Sequence, residues 1–415
     1  MTRPRWIPIG DYNVGDEERR AIAEVLDSGR LSEGRQVARF EREFAAYVGS
    51  EYCVAVNSGT SALIVMLKAL EHLKGRAASP GQGIITSPLT FIATAAAVVA
   101  AGFEPVFADV DPRRFCIRPE TVSEVLGESK GASSFAGLMP VHLMGYPADL
   151  ARLGQIARDH RLHLLEDSAQ AHGSVSGGRR TGSIGLAGAF SFYVAHNIQV
   201  GEMGAVTTSD AELAGLVRSL KAHGRRCACR ICVRREGKCP WAGRKDEGDP
   251  RFTHDYIGYN FKTTEMQAAL ALCQLGRAGY IVASRHNNVR MLNELLAPFR
   301  DDLELPALED GVSYLAYPLV LKEEARLTRA NLCDELEKQG VETRPLFSCL
   351  PTQQPAFKHL RRLYEGRLPN AERLGSQAFY IGCHQFLGEE DLRRVAMAFR
   401  AVLDQAARRP RRRRG

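Results

Sequence analysis

The chain has 415 residues, of which 45% are hydrophobic and 25% charged, a composition typical of soluble globular proteins and long enough for a large and a smaller domain. No stretch reaches the roughly 18 consecutive apolar residues of a membrane span, and the N-terminus lacks a signal-peptide core, so we expect a cytoplasmic protein without membrane contact. Much of the formal charge of +7 lies in a C-terminal arginine run, 408–415, which indicates a disordered basic tail; nucleic-acid binding is not expected, because no groove-reading motif accompanies the run.

Short apolar runs alternate with helical segments from about residue 15 to 275. A helix is predicted over 16–26, and a strand over 52–56 leads into a helix over 61–73. Further strands are predicted at 83–87, 105–110, 137–142, 162–166 and 189–192. This alternation predicts an α/β fold with a mainly parallel central sheet flanked by helices, which binds ligands at the carboxyl ends of its strands.

The rhythm changes in the second half of the chain. A polar stretch rich in cysteine and arginine, 225–251, reads as an inserted loop, and a long helical segment follows Thr264. Short strands and helices then alternate to about residue 405. We therefore predict a large domain over 1–275, which contains the inserted loop, and a smaller C-terminal α+β domain over 276–407.

Small polar residues follow the first predicted strand as Asn57-Ser58-Gly59-Thr60-Ser61. Backbone N–H groups and hydroxyls at the start of a helix can cradle a phosphate. An ordinary helix cap is the equally good alternative from these residues alone.

An acidic pair, Glu166-Asp167, ends another apolar strand. A carboxylate at this place can keep a pyridine nitrogen protonated, so that the ring acts as an electron sink. A capping aspartate would explain the same residues. Farther on, residues 190–206 have the order of a strand, an exposed turn and a glycine-rich return strand.

These segments together resemble the DegT/DnrJ/EryC1/StrS family of sugar aminotransferases, which have fold type I of the pyridoxal-phosphate enzymes. The matching stretches keep the family's order and are NSGTSAL (57–63), SPLTFIATAAAV (87–98), PVHLMGYPADL (140–150), LLEDSAQAHGS (164–174), FSFYVAHNIQVGEMGAV (190–206) and IGYNFKTTEMQAAL (257–270). The large domain would accordingly bind the cofactor.

The resemblance implies roles for individual residues. The phosphate would be held by Gly59, Thr60, Ser61 and Ser191. The pyridine ring would meet Phe91 as a stacking partner, Asp167 at the nitrogen and Gln170 at the ring oxygen. Asn260 would reach the phosphate from a second subunit, which implies a homodimer. The sugar site would include Arg344 and His384.

His196 departs from the family pattern. The aminotransferases read FSF-x-x-x-K, and here His196 stands where that lysine is expected; no lysine occurs between Lys130 and Lys221. Since histidine cannot link covalently to the aldehyde cofactor, the resemblance implies that pyridoxamine phosphate is held without an anchor. The same change marks a branch of 3-dehydratases that act on nucleotide-linked 4-keto-6-deoxyhexoses in deoxysugar biosynthesis, for secondary metabolites or O-antigens, with the histidine as base.

The leading hypothesis is a dehydratase that acts on a nucleotide sugar or a related amino-sugar intermediate. Two rival hypotheses stay open. The chain could still be an aminotransferase that uses an unusual base, or a non-catalytic homologue that binds cofactor without chemistry. The intact phosphate and ring positions favour an active enzyme over a degenerate one.

Four cysteines lie within thirteen residues, at Cys227, Cys229, Cys232 and Cys239. Some dehydratases of the family carry an iron–sulfur cluster near this position and receive electrons from a reductase, although the family's further cysteine is replaced here by Ala169. Four thiolates also suit tetrahedral zinc, and spacing alone does not separate the two metals. A metal-free loop is the remaining alternative.

Overall fold

The computed structural model describes residues 6–128, 134–227, 229, 233–239, 249 and 251–408. In chain order the strands are β1 Tyr52–Val56, β2 Gly83–Thr86, β3 Glu104–Phe107, β4 Phe135–Met139, β5 His163–Asp167, β6 Val175–Ser176, β7 Arg179–Arg180, β8 Ala187–Ser191, β9 Gly204–Thr208, β10 Leu303–Glu304, β11 Tyr317–Leu321, β12 Arg344–Pro345 and β13 Ala378–Ile381.

The helices fall between and after these strands. They are α1 Asp16–Asp27, α2 Arg35–Val48, α3 Gly59–Ala69, α4 Ala93–Ala100, α5 Pro119–Glu128, α6 Leu150–Asp159, α7 Ala211–Leu220, α8 Glu265–Gly276, α9 Ala278–Leu295, α10 Arg329–Lys338, α11 Leu350–Gln353, α12 Arg361–Tyr364, α13 Pro369–Gln377 and α14 Glu389–Arg408. No described helix is both long enough and apolar enough to cross a membrane.

The central sheet has seven strands in the order β1-β9-β8-β5-β4-β2-β3. The pairs from β8 to β3 are parallel, whereas β9 runs antiparallel to both of its neighbours. The prediction of a mainly parallel sheet flanked by helices is therefore confirmed. The antiparallel strand is the predicted glycine-rich return strand, which turns back directly after the segment that contains His196 and so leaves that segment at the edge where ligands bind.

A second sheet of four antiparallel strands, β10-β11-β13-β12, forms the smaller C-terminal region. One hydrophobic cluster joins this sheet to the large one, since it contains Ile85 and Leu138 as well as Leu319 and Phe379. The two regions consequently share packing across the predicted boundary near residue 275.

The N-terminal segment packs with this C-terminal region, although it precedes the large sheet in sequence. Ile7 pairs in parallel with Val341, and the backbone N–H of Ile9 donates a 2.9 Å hydrogen bond to Glu342. This arrangement carries Ile9 to the wall of the cavity described below.

Local chemistry explains why the long predicted helix after Thr264 begins where it does. Thr264 caps the helix in a capping box with Gln267, and the segment divides into α8 and α9 at Arg277. At its far end, the chain continues as α14 through Arg408. Residues 409–415 of the predicted tail lie outside the described residues.

Candidate active site

A cavity of about 440 Å³ opens at the carboxyl ends of β5 and β8, where the topology of a parallel sheet places ligands. Its floor includes Asp167 and Ser191, the last residues of these two strands. The opposite wall comes from distant parts of the chain and contains Ile9, Leu315, Arg344, Phe347 and Tyr380. The large domain and the C-terminal region thus build one site together.

The start of α3 forms one end of the cavity. Ser58 caps the helix, because its hydroxyl accepts a 3.1 Å hydrogen bond from the Ser61 backbone N–H. Gly59 is required by close approach: a Cβ there would lie 2.4 Å from the Cβ of Ser191. The helix start, Thr60 and Ser191 therefore converge on one spot, which suits a phosphate group by its dipole and donors.

Ser61 is the exception among the four predicted phosphate residues. Its side chain is buried and its hydroxyl bonds that of Ser58 at 3.0 Å, so it supports the cap and does not line the cavity.

Asp167 is buried at the cavity floor. Its Oδ2 accepts a 2.8 Å hydrogen bond from the Thr94 hydroxyl, and its Oδ1 accepts one from the Ala169 N–H at 3.2 Å. Burial raises the pKa of Asp167 above its ordinary value, although these hydrogen bonds and His142 oppose the rise. A cationic ring nitrogen beside this carboxyl would remove that penalty, and the group is therefore suited to a pyridinium.

Its neighbour Glu166 points away from the cavity and stabilises the fold. The carboxylate accepts hydrogen bonds from His142 at 3.1 Å and from the backbone N–H groups of Gly182, Ile184 and Gly185 at 2.7 Å each. Burial favours the neutral acid, but these donors outweigh it and lower the pKa of Glu166. The acidic pair is thereby divided into one residue for the fold and one for the cavity.

Two further predicted ring contacts line the cavity. Gln170 accepts a 3.1 Å hydrogen bond from the Met144 N–H through Oε1, which fixes its side chain. The side chain of Phe91 is 58% exposed and packs at a tilt on Phe347, with ring centroids 5.9 Å apart. An aromatic face left this open is available to a flat ligand.

His196 also lines the cavity, in the turn between β8 and β9. Its Nδ1 lies 2.9 Å from the Ser191 carbonyl oxygen. Because a carbonyl only accepts, Nδ1 carries the proton and the Nε2 of the neutral ring is left as the acceptor. Burial, assisted by the charge of Arg285 and opposed by the Ser191 bond, lowers the pKa of His196 to about 4. The imidazole is consequently neutral near pH 7 and able to take a proton.

The three other predicted residues differ in their position relative to the cavity. Arg344 lines the cavity and pairs with Glu342 at 2.9 Å. His384 lies behind the wall, where its Nε2 is 3.2 Å from the Pro8 carbonyl, and it does not line the cavity. Asn260 is exposed and stands outside the cavity of its own chain.

The cysteine loop lies away from this site. Cys227 and Cys229 line a small cavity of about 80 Å³ together with Arg218, Arg225 and Lys262. No group of three or more His, Cys, Asp or Glu side chains suited to a metal occurs within the part of the chain that the structure describes. Cys232 lies outside the described residues.

Several cavity residues were not anticipated from the sequence. They come from the N-terminal segment, the connection between β8 and β9 and the C-terminal region, and include Ile9, Tyr193, Glu202, Leu315 and Tyr380. Thr94 alone carried a readable signal, since it is the single polar residue in the apolar helix ATAAAVVA. The others depend on contacts between segments far apart in sequence.

Comparison with known proteins gives a consistent result. The sequence model of the DegT/DnrJ/EryC1/StrS aminotransferase family matches residues 13–400. A dTDP-4-dehydro-2,6-dideoxy-D-glucose 3-dehydratase from Saccharopolyspora spinosa is 34% identical over 381 residues, which are 89% of this chain and 81% of that protein.

Two further matches extend over nearly the whole chain. The lipopolysaccharide biosynthesis protein RfbH of Salmonella typhimurium is 32% identical over 95% of this chain and 91% of its own length. Among solved structures, an aminotransferase from Psychrobacter cryohalolentis is 30% identical, with a TM-score of 0.83 over 96% of this chain and 100% of that one.

Proposed function

Because the chain belongs to the DegT/DnrJ/EryC1/StrS aminotransferase family, which comprises pyridoxal-phosphate-dependent sugar aminotransferases and sugar 3-dehydratases, we propose that it is a pyridoxamine-phosphate-dependent 3-dehydratase. Its substrate would be a nucleotide-linked 4-keto-6-deoxyhexose. The observation that carries the proposal is His196, a neutral imidazole in the cavity at the position where the aminotransferase motif has lysine.

The residues of the cavity fit the cofactor. The start of α3 with Thr60 and Ser191 would hold its phosphate, Asp167 its ring nitrogen, Gln170 its ring oxygen and Phe91 its ring face. When bound, the cofactor supplies an electron sink that allows a proton and a hydroxyl group to leave neighbouring atoms.

The described lining of the cavity contains no lysine, so the chain offers no amine there for a covalent link. His196 would instead take a proton through its unprotonated Nε2, while the Ser191 carbonyl holds the ring at Nδ1. Once protonated, the same imidazole would be able to donate that proton to a departing hydroxyl group. Asp167, as a carboxylate, would hold the ring nitrogen of the cofactor in its protonated form.

The second candidate function is an aminotransferase with an unusual base. Two observations favour it: the chain reads EDSAQAHG, with Ala169 where iron–sulfur dehydratases have cysteine, and an aminotransferase structure is 30% identical over nearly the full length. The two functions differ in whether nitrogen reaches the sugar.

The test loads the purified protein with pyridoxamine phosphate and supplies GDP- and dTDP-linked 4-keto-6-deoxyhexoses. We expect loss of the C3 hydroxyl, detected by mass spectrometry, and no covalent cofactor after borohydride treatment. His196→Asn should bind cofactor normally and lose turnover by about 10²–10⁴-fold. Nitrogen transfer to the sugar from glutamate would establish the aminotransferase instead, and cofactor binding with neither loss of the hydroxyl nor nitrogen transfer would support a non-catalytic homologue.

We also propose that the cysteine loop binds a metal centre, iron–sulfur or zinc, and that a reductase delivers electrons in the former case. The support is chemical: four cysteines lie within thirteen residues, a set that suits zinc or an iron–sulfur cluster, and Cys227 and Cys229 line one small cavity. Metal analysis and a visible spectrum of an anaerobic preparation should show iron with bands bleached by dithionite, or zinc without colour. Cys229→Ser should lower the metal content, with Cys333→Ser as control; a metal-free wild-type protein contradicts the proposal.

A further inference from the structure

A buried cation lies behind the candidate active site. Arg285 of α9 is 1% exposed, and its Nη1 donates to the carbonyl of Leu315. Its Nε has no hydrogen-bond partner, and no carboxylate within the described residues pairs with it. A guanidinium stays protonated in proteins, and burying one without a carboxylate is costly.

The groups around this charge are weak bases and a thiol. They are His172, His196, His384 and Cys383, each of which feels the charge of Arg285. His172 is fully buried, neither of its ring nitrogens has a hydrogen-bond partner among the described residues, and its ring centroid lies 6.3 Å from that of His196. Two imidazoles therefore stand side by side in the region that the cation occupies.

The short segment from Ser313 to Leu315 is hydrogen-bonded both to Arg285 and to the residue after His196. Asn197, the residue after His196, donates a 3.1 Å hydrogen bond to the Ser313 carbonyl, and Leu315 receives the hydrogen bond of Arg285 two residues later. Leu315 and His196 both line the cavity. Arg285 is thereby held behind the part of the cavity wall that Leu315 forms, and the hydrogen bond from Asn197 to Ser313 joins this segment to the one that carries the histidine.

The other charged groups in this region line the cavity. Asp167, Glu202 and Arg344 line the same cavity, and the ring of Tyr193 packs edge-on at 5.8 Å. No described carboxylate pairs with His196, so nothing on that side would stabilise an imidazolium directly. A proton on His196 would add a second positive charge to a region that already holds one.

We propose that Arg285 is a positioning residue for the reaction: its buried charge keeps the His196 imidazole neutral, with Nε2 unprotonated and ready to accept a proton. The inference rests on the proposed function in assigning His196 as the base. The charge also contributes to keeping His172 neutral beside His196, although burial is the larger cause, so that His172 does not compete for the proton. Burial first, and then the charges of His196 and Arg285, hold the pKa of His172 well below its ordinary value.

A merely structural Arg285 would hold Leu315 in place and leave the titration of His196 unchanged. The experiment therefore measures the imidazole itself, by ¹⁵N NMR of the full-length protein loaded with pyridoxamine phosphate, with His196→Asn used to assign its signal. Arg285→Met removes the charge, Arg285→Lys retains one, and Arg290→Met removes an exposed charge from the same helix as the matched control.

We expect His196 to titrate well below pH 6.5 in the wild type, in Arg290→Met and in Arg285→Lys. In Arg285→Met its pKa should rise toward the ordinary value of histidine, and the acid limb of the kcat profile should rise with it. Arg285→Gln, which can still bond the Leu315 carbonyl, should show the same rise and replaces the Met variant if that one does not fold.

Two results would overturn the inference: a wild-type His196 that titrates at or above pH 6.5, or an unchanged titration in a folded variant without the charge. The titration is read without turnover. An Arg285-dependent pKa in a protein that performs no dehydration would therefore reject the proposed function and leave the electrostatic inference standing.

Discussion

Adjacent residues at the site differ in their roles because their side-chain atoms have different hydrogen-bond partners. Glu166 and Asp167 are adjacent carboxylates, yet one accepts three backbone hydrogen bonds and the other faces the cavity with a hydroxyl and one N–H as partners. Successive side chains of a strand point to opposite faces, which is why the pair divides in this way. The sequence identified the pair. The alternation of side chains along the strand decides which carboxylate supports the fold and which one faces the cavity.

This division leads to a prediction at the residue scale. Burial raises the pKa of Asp167, so its charged form opposes folding: stability from this group is present below the unfolded pKa and is lost as the pH rises through the folded pKa. Asp167→Asn should therefore leave unchanged or raise the Tm of the cofactor-free protein at pH 7, while cofactor affinity falls by about tenfold or more.

Glu166→Gln serves as the contrasting variant. Its carboxylate is stabilised in the fold, so the loss of charge should lower the stability by about 1–3 kcal/mol and leave cofactor affinity per folded molecule nearly unchanged. Calorimetry and cofactor titration of both variants measure the two effects. If Asp167→Asn binds cofactor as tightly as the wild type, the ring-nitrogen assignment is wrong.

At the scale of elements, the phosphate end of the cavity depends on how closely α3 approaches β8. Gly59 allows this approach, and Gly204 allows the next strand to pass the same turn, because a Cβ there would lie 2.1 Å from the Ser58 carbonyl oxygen. The sequence motif identified small residues at the helix start. The reason for glycine, contact with a strand more than a hundred residues away, is tertiary.

Gly59→Ala should push Ser191 from its place, destabilise the fold by about 1–3 kcal/mol and weaken cofactor binding by about tenfold. Gly215→Ala in α7 is the matched control, since a Cβ there meets nothing within 4 Å and alanine favours a helix. Denaturant unfolding and cofactor titration provide the measurements. Equal behaviour of the two variants would exclude the steric explanation.

At the scale of the whole molecule, the site receives residues from both regions of the chain, while Asn260 stands exposed outside its own cavity. Ile257, nearby in sequence, is 92% exposed, as suits a surface that a second subunit covers. We propose a homodimer in which each Asn260 completes the partner's phosphate site.

Mixed dimers test this arrangement. Asn260→Ala and His196→Asn should each be inactive alone, whereas subunits exchanged at random should regain about a quarter of wild-type activity, since half of the dimers then hold one intact site. Sedimentation measures the oligomeric state. A monomer that is fully active, or a mixture that recovers nothing, would contradict the shared site.

The sequence by itself determined the family, the mainly parallel sheet, the strand-end location of the site and the replacement of a lysine by His196. These are properties of residue type, spacing and order, which are local and therefore readable along the chain. Most predicted cofactor residues accordingly line one cavity, while Ser61 and His384 lie behind it and Asn260 outside it.

Only the tertiary structure decided what surrounds that histidine. Arg285 belongs to a helix almost ninety residues farther along, and Leu315 and Ile9 come from opposite ends of the chain, so no spacing in the sequence relates them to His196. Burial and the approach of a distant charge set the protonation state of an imidazole. Both arise from packing between segments, and residue identity alone does not contain them.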